Sequence, residues 1–113
     1  MLQNSQSPIP SVVAAHAEQQ KNLPFADTRD FDNADRGFIG ALKPCVVTNA
    51  AGQVVWDNDV YGFLAADAPT SVHPSLWRQS TLVAKQGLYE VVEGIYQVRG
   101  LDLSNISFIE GDT

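Results

Sequence analysis

The chain has 113 residues, a single-domain size, and 44% of them are apolar, enough for a hydrophobic core. No run approaches the roughly 18 consecutive apolar residues of a membrane-spanning helix. The opening MLQNSQSPIPSVV has neither the basic head nor the apolar stretch of a secretory signal, so no compartment is assigned. The formal charge of −6, with Lys21, Arg29, Arg36, Lys43, Arg78, Lys85 and Arg99 scattered along the chain, leaves no cationic stripe for a phosphate backbone. Nucleic acid and acidic lipid are therefore not expected partners.

Residues 1–10 are polar and contain proline, and are expected to form a disordered tail. Ser11 is placed to cap a helix through Asn22, with Val12, Ala15 and Gln19 along one side. Leu23-Pro24-Phe25 interrupts it, because the residue before a proline is pushed toward extended geometry. A second helix is predicted from Thr28 to Arg36, capped by Asp27 or Thr28, with Phe31 and Ala34 facing inward and Gly37 as a left-handed stop. Cys45 to Thr48 and Gln53 to Asp57, joined by Asn49-Ala50-Ala51-Gly52, predict a hairpin with a longer loop. Asp57-Asn58-Asp59 then opens a short helical turn that presents Val60, Tyr61, Phe63 and Leu64. After a loop over residues 65–72, Pro74 starts a helix over Ser75 to Lys85 with Leu76, Leu82 and Val83 on its apolar side, ended by Gly87.

Three extended runs follow, Leu88 to Val92, Ile95 to Arg99 and Asn105 to Glu110. Tyr96 and Val98 alternate with Gln97 and Arg99, and Ile106 and Phe108 with Ser107 and Ile109. Glu110-Gly111-Asp112-Thr113 reads as the start of a tight turn. The chain is thus expected to stop inside a β-meander whose next strand lies beyond it. The fold class is α+β, with short helices and a hairpin leading into antiparallel strands.

The chemistry-bearing residues do not assemble into a known pattern. Asp27, Asp30, Asp32 and Asp35 crowd one helix, and Asp57-Asn58-Asp59 precedes Gly62. Counted as a calcium loop from Asp57, the fifth position is Tyr61 and the twelfth is Ala68, so the strongest ligand is missing. Acidic residues near helix starts are explained by the helix dipole. His16 and His73 are far apart and lack a partner histidine at ligand spacing. They are read as a solvated helix residue and a helix-entering residue. The single Cys45 excludes an internal disulfide and is read as an inert strand residue. Glu90 and Glu93 are read as a solvated strand edge and a turn. Trp56, Trp77, Tyr61, Phe63, Tyr89, Tyr96 and Phe108 are expected to fill a core, and Arg78 to tie two elements together with its fork of donors. No catalytic, cofactor-binding or metal-binding residue is assigned.

Eight segments nevertheless carry a resemblance in the same order. They include Leu23-Pro24-Phe25-Ala26-Asp27, Arg36-Gly37-Phe38-Ile39, Gly52-Gln53-Val54-Val55-Trp56-Asp57, Pro74-Ser75-Leu76-Trp77-Arg78-Gln79 and Gly87-Leu88-Tyr89-Glu90-Val91. With Gly94-Ile95-Tyr96-Gln97-Val98-Arg99-Gly100, Asp102-Leu103-Ser104-Asn105 and Glu110-Gly111-Asp112-Thr113, residues 12–113 resemble the amino-terminal portion of the alkyl sulfatases. His73 stands where that family has asparagine, and Lys43-Pro44-Cys45 is a shortened loop. The resemblance implies residues 11–87 as a helical and hairpin extension and residues 88–113 as the first strands of a metallo-β-lactamase αββα sandwich. It also implies that the histidine-rich loop holding two zinc ions follows this region. On that reading the chain alone has no cofactor and no activity. Its partner is then the rest of an alkyl sulfatase, or a second copy, and alkyl sulfate binds only the whole enzyme. The other reading of the residues is a stand-alone, non-catalytic interaction or dimerisation domain derived from that family.

Overall fold

Proline at the first position of a helix costs nothing, because its missing N–H is one of the unpaired donors there. In the computed structural model, which describes residues 7–113, this places the start of α1 (Pro10–Asn22) at Pro10, and Ile9 precedes it without a side-chain cap. Ser11 therefore lies inside the helix and is not its cap. Most of the expected tail, residues 1–6, lies outside the described residues.

α2 (Arg29–Asp35) follows, and the chain turns at Gly37 with φ +75°. This glycine has two reasons to be one. The positive φ disfavours a side chain, and a Cβ would run into the carbonyl of Glu90, whose amide donates to the Gly37 carbonyl at 2.8 Å. That close approach delivers β1 (Phe38–Gly40) to the sheet, a strand too short and too uniformly apolar to show alternation in the sequence. β2 (Val46–Thr48) and β3 (Val54–Asp57) form the expected antiparallel hairpin. The Asn49 side chain holds its loop, accepting from the amides of Ala51 and Gln53 at 3.0 Å each.

A 3-10 helix, η1 (Asn58–Ala65), leads through a loop to α3 (Pro74–Val83). α3 ends earlier than the sequence suggested: Ala84 closes it, and Gly87 opens the next strand instead of stopping the helix. The meander then forms as expected, with β4 (Gly87–Val92), β5 (Ile95–Arg99) and β6 (Ile106–Ile109). The sheet order is β1-β4-β5-β6, all antiparallel, while β2 and β3 stand apart as a two-stranded sheet. β4 is therefore an interior strand, and Glu90 does not lie on an edge. The tight turn expected after Ile109 is absent; Glu110 instead extends the ladder by donating to the Gly94 carbonyl at 2.9 Å.

Register assigns the two faces of the meander. Leu88 opposes Val98, which opposes Ile106, and Tyr96 opposes Phe108, so one face carries an apolar strip, with Glu90 opposite Tyr96 at the margin of the strip. The other face carries Tyr89, Gln97, Arg99 and Ser107, and α3 and η1 lie on the side of Tyr89. Among the described residues the buried apolar side chains are Cys45, Leu64, Pro74 and Tyr89. The molecule is a slab of 61 × 40 × 19 Å with a radius of gyration of 18.1 Å, against about 13 Å for a compact chain of this length. Its accessible surface of 8810 Å² exceeds by a wide margin the roughly 6,100 Å² expected for its mass. Among the described residues no helix is long and apolar enough to cross a membrane.

Candidate functional site

Three of the four acidic residues of α2 and its approach, Asp27, Asp30 and Asp35, are occupied by cations of this chain. The carboxylate of Asp27 accepts from the backbone amide and the guanidinium of Arg29, Asp30 pairs with Arg78 at 3.0 Å, and Asp35 pairs with Lys85 at 2.8 Å. The Arg29 side chain, then its amide, and then the charge of Arg78 hold the Asp27 carboxyl below its ordinary value of 3.8. Asp27 in turn raises the Arg29 guanidinium. Carboxylates already neutralised in this way are poor cation ligands. Among the described residues no three histidine, cysteine, aspartate or glutamate side chains come together to hold a metal. The residues present therefore do not fit the two-zinc site that the family resemblance implies elsewhere.

Asp57-Asn58-Asp59 is a polar knot with a structural task. Asp57 accepts from the amide of Asp59 at 2.9 Å to start η1, and Asp59 accepts from the amide of Cys45 at 3.3 Å. Asn58 accepts from the Trp56 indole at 2.9 Å and donates to the Gly100 carbonyl at 2.8 Å. This triplet thereby ties the hairpin to the loop between β5 and β6. Gly100 is held from its other side too, where a Cβ would meet the Lys85 carbonyl. Cys45 is only 3% exposed beneath the knot.

Arg78 does tie two elements, as its fork of donors suggested. From α3 it donates to the Asp30 carboxylate and the Asp27 carbonyl, each at 3.0 Å, and lies over the Phe31 ring at 5.0 Å. The two histidines, distant in sequence, come together: their ring centroids are 5.6 Å apart. His16 is half-buried and bonds the Thr70 carbonyl through Nδ1 at 2.7 Å, so it is not the solvated residue expected. Its position four residues after Val12 and three before Gln19 puts it on the inward stripe of α1.

The aromatics are the larger correction. Tyr89 alone among the described ones is buried, at 2% exposure, edge-on to Phe38 and beneath the guanidinium of Arg99 at 4.5 Å. Trp56, Tyr61, Phe63 and Phe108 are exposed. A core was expected because each sits on the inward side of its own element, but no layer covers them. Trp56, Tyr61, Phe63, Leu76 and Val83, with Tyr89 at the floor, line an open cleft of about 770 Å³ between η1, α3 and the sheet. Neither histidine nor cysteine lines this cleft. Its chemistry is that of an apolar receptacle: it can bury hydrocarbon or protein, and it presents no nucleophile with a neighbouring base.

No protein-family model matches the sequence. Over 105 residues the chain is 48% identical to the alkyl/aryl-sulfatase BDS1 of Saccharomyces cerevisiae, a match covering 92% of this chain and 16% of that protein. It is 49% identical over 108 residues to an (R)-specific secondary-alkylsulfatase of Pseudomonas sp, covering 94% of this chain and 16% of the relative. The solved structure of the stereoselective inverting sec-alkylsulfatase Pisa1 from Pseudomonas sp superposes with a TM-score of 0.86 at 48% identity, over 96% of this chain and 17% of that one. In sequence and in fold, the chain matches the amino-terminal region of the alkylsulfatases. It spans 16–17% of the length of these alkylsulfatase relatives, and the α+β architecture of short helices and antiparallel strands is theirs over that span.

Proposed function

We propose that this chain serves as the amino-terminal region of a zinc-dependent alkylsulfatase that hydrolyses alkyl sulfate esters of the dodecyl sulfate type to alcohol and sulfate. Within that enzyme it is scaffold and not reaction centre. Residues 11–87 form an extension, and residues 88–113 provide the first strands of a metallo-β-lactamase sandwich. The zinc ligands belong to the remainder of the protein, and this chain's own residues bind, position and cover.

The observation that carries this reading is the pairing of similarity along nearly the whole chain with an open surface. Identity of 46–49% extends over 87–94% of the chain, yet Ile106, Phe108 and the walls of the cleft stand exposed. Apolar area removed from water is worth about 25 cal/mol per Å². Further chain that covers the strip on one face and the cleft on the other would therefore supply stabilisation that the slab lacks alone.

The test is complementation. The chain is co-expressed with an alkylsulfatase relative from which the matching amino-terminal region has been deleted. Co-purification with zinc-dependent release of sulfate from dodecyl sulfate is the expected result; failure of the two to associate overturns the reading. The purified chain with zinc is expected to release no sulfate, and turnover by it alone would move the reaction centre into these residues.

A second reading is a stand-alone interaction domain that pairs with its own copy. It is favoured by β6, whose outer edge has no strand partner among the described residues. Sedimentation separates the two readings: a discrete dimer abolished by proline at Ser107 supports self-pairing.

A further inference from the structure

α1 is a helix with little holding it in place. It has no side-chain cap, no acidic residue in its first turn and no buried residue, and a helix of this length is marginal by itself. Among the described residues its one hydrogen bond to another element runs from His16 to Thr70, and its one ring contact is to His73.

The partners of the two rings assign their protons. His16 Nδ1 faces the Thr70 carbonyl at 2.7 Å, and a carbonyl only accepts, so that nitrogen carries hydrogen. His73 Nδ1 faces the amide of Ser75 at 3.1 Å, and an amide only donates, so that nitrogen carries none. His73 thus caps α3 with an imidazole lone pair, in the position where a serine or asparagine oxygen usually serves. A second proton on His73 removes the acceptor and sets a cation at the positive end of a helix. A second proton on His16 sets another cation beside it.

We propose that His16 and His73 form a proton-sensitive clasp that docks α1 on the amino-terminal end of α3 while His73 is neutral and releases it when the imidazoles take up protons. The charged side chains on the elements around the pair are Glu18 and Lys21 of α1, Asp67 of the intervening loop and Arg78 of α3. Among the described residues none forms an ion pair with either ring, and Arg78 is engaged by Asp30. No carboxylate is therefore in place to neutralise a doubly protonated pair. The inference rests on the ring geometry and is independent of the enzyme reading above.

Proton–nitrogen NMR of the full chain, titrated from about pH 7.5 to about 5.5, covers the imidazole range. The amides of α1 and of Ser75 should move together with both ring resonances. Hydrogen-exchange protection of the first turn of α3 should fall about tenfold, the size of one lost cap with an adverse charge at a helix start, and protection of α1 should fall together with it. His73→Asn supplies a cap that does not titrate and should leave α1 docked across the range. Invariant α1 protection while the rings titrate overturns the proposal, as does an α1 response that persists in His73→Asn. Should that variant not fold, the titration of the unaltered chain still decides.

Discussion

The two sides of α3 are held in opposite ways. Toward α2 the contact is polar and bonded, with Arg78 held by Asp30 and by the Asp27 carbonyl over the Phe31 ring and, just past the helix, Lys85 paired with Asp35. Toward the cleft the same helix presents Leu76 at 60% and Val83 at 65% exposure. Hydrogen bonds need geometry and so fix position, whereas apolar area needs only cover and so supplies energy. This slab has its geometry in place ahead of its cover.

Substitutions that separate what is held from what lies open should therefore differ in size. Tyr89→Ala removes the most buried aromatic ring together with its contacts to Phe38 and Arg99, and should cost about 3–4 kcal/mol in denaturant unfolding. Gly37→Ala places a methyl group against the Glu90 carbonyl at a positive φ, and should cost about 2 kcal/mol and loosen β1 in hydrogen exchange. Arg78→Ala should cost about 1–2 kcal/mol, a figure discounted for the exposure of Asp30. Arg78→Lys should recover little of it, since an ammonium lacks the planar fork. Val83→Ser should change the stability of the chain alone by less than about 0.5 kcal/mol, yet weaken association with the truncated alkylsulfatase about tenfold by leaving a polar group under cover.

The smallest effect belongs to Asp27 and Arg29 on the exposed rim. Because the folded-state carboxyl titrates below 3.8, its contribution is present above that value and is lost as pH falls through the lowered folded value. Asp27→Asn should lower stability slightly at neutral pH, where the carboxylate's contribution is fully present, and its difference from the unaltered chain should vanish as pH falls well below about 4 and the carboxyl is protonated. A neutral-pH loss as large as that of Arg78→Ala would erase the distinction between the rim and the bonded side of α3.

Much of this architecture is legible in the sequence where local physics decides. Tyr96-Gln97-Val98-Arg99 and Ile106-Ser107-Phe108 alternate with period two between glycine turns, and the meander forms there. Pro74 starts α3 and Gly37 turns the chain, because ring and missing side chain act on their own dihedrals. What the sequence hides is set by distant partners. Phe38-Ile39-Gly40 is a strand only because Gly37 meets Glu90. Asp57-Asn58-Asp59 looks like a deficient cation loop until Gly100 and Cys45 are placed beside it. His16 and His73 become neighbours only when α1 is laid across α3. Periodicity puts the aromatics on particular faces of their elements, yet among the described ones Tyr89 alone is buried, since periodicity names a face and not what lies over it.

The order of strands in the sheet also sets an order in time. β4 and β5 are joined by Glu93-Gly94, and β6 follows after one short loop, so the meander closes through small loops on the hairpin timescale of about 1–10 μs. β1 pairs with β4 only after the hairpin of β2 and β3, η1 and α3 have been gathered into one large loop, whose closure carries a greater entropic cost. The carboxyl-terminal strands should therefore acquire protection first in pulse-labelled exchange. Phe38–Gly40 should dock last, so the segment nearest the start of the sheet in sequence is the one added at the finish.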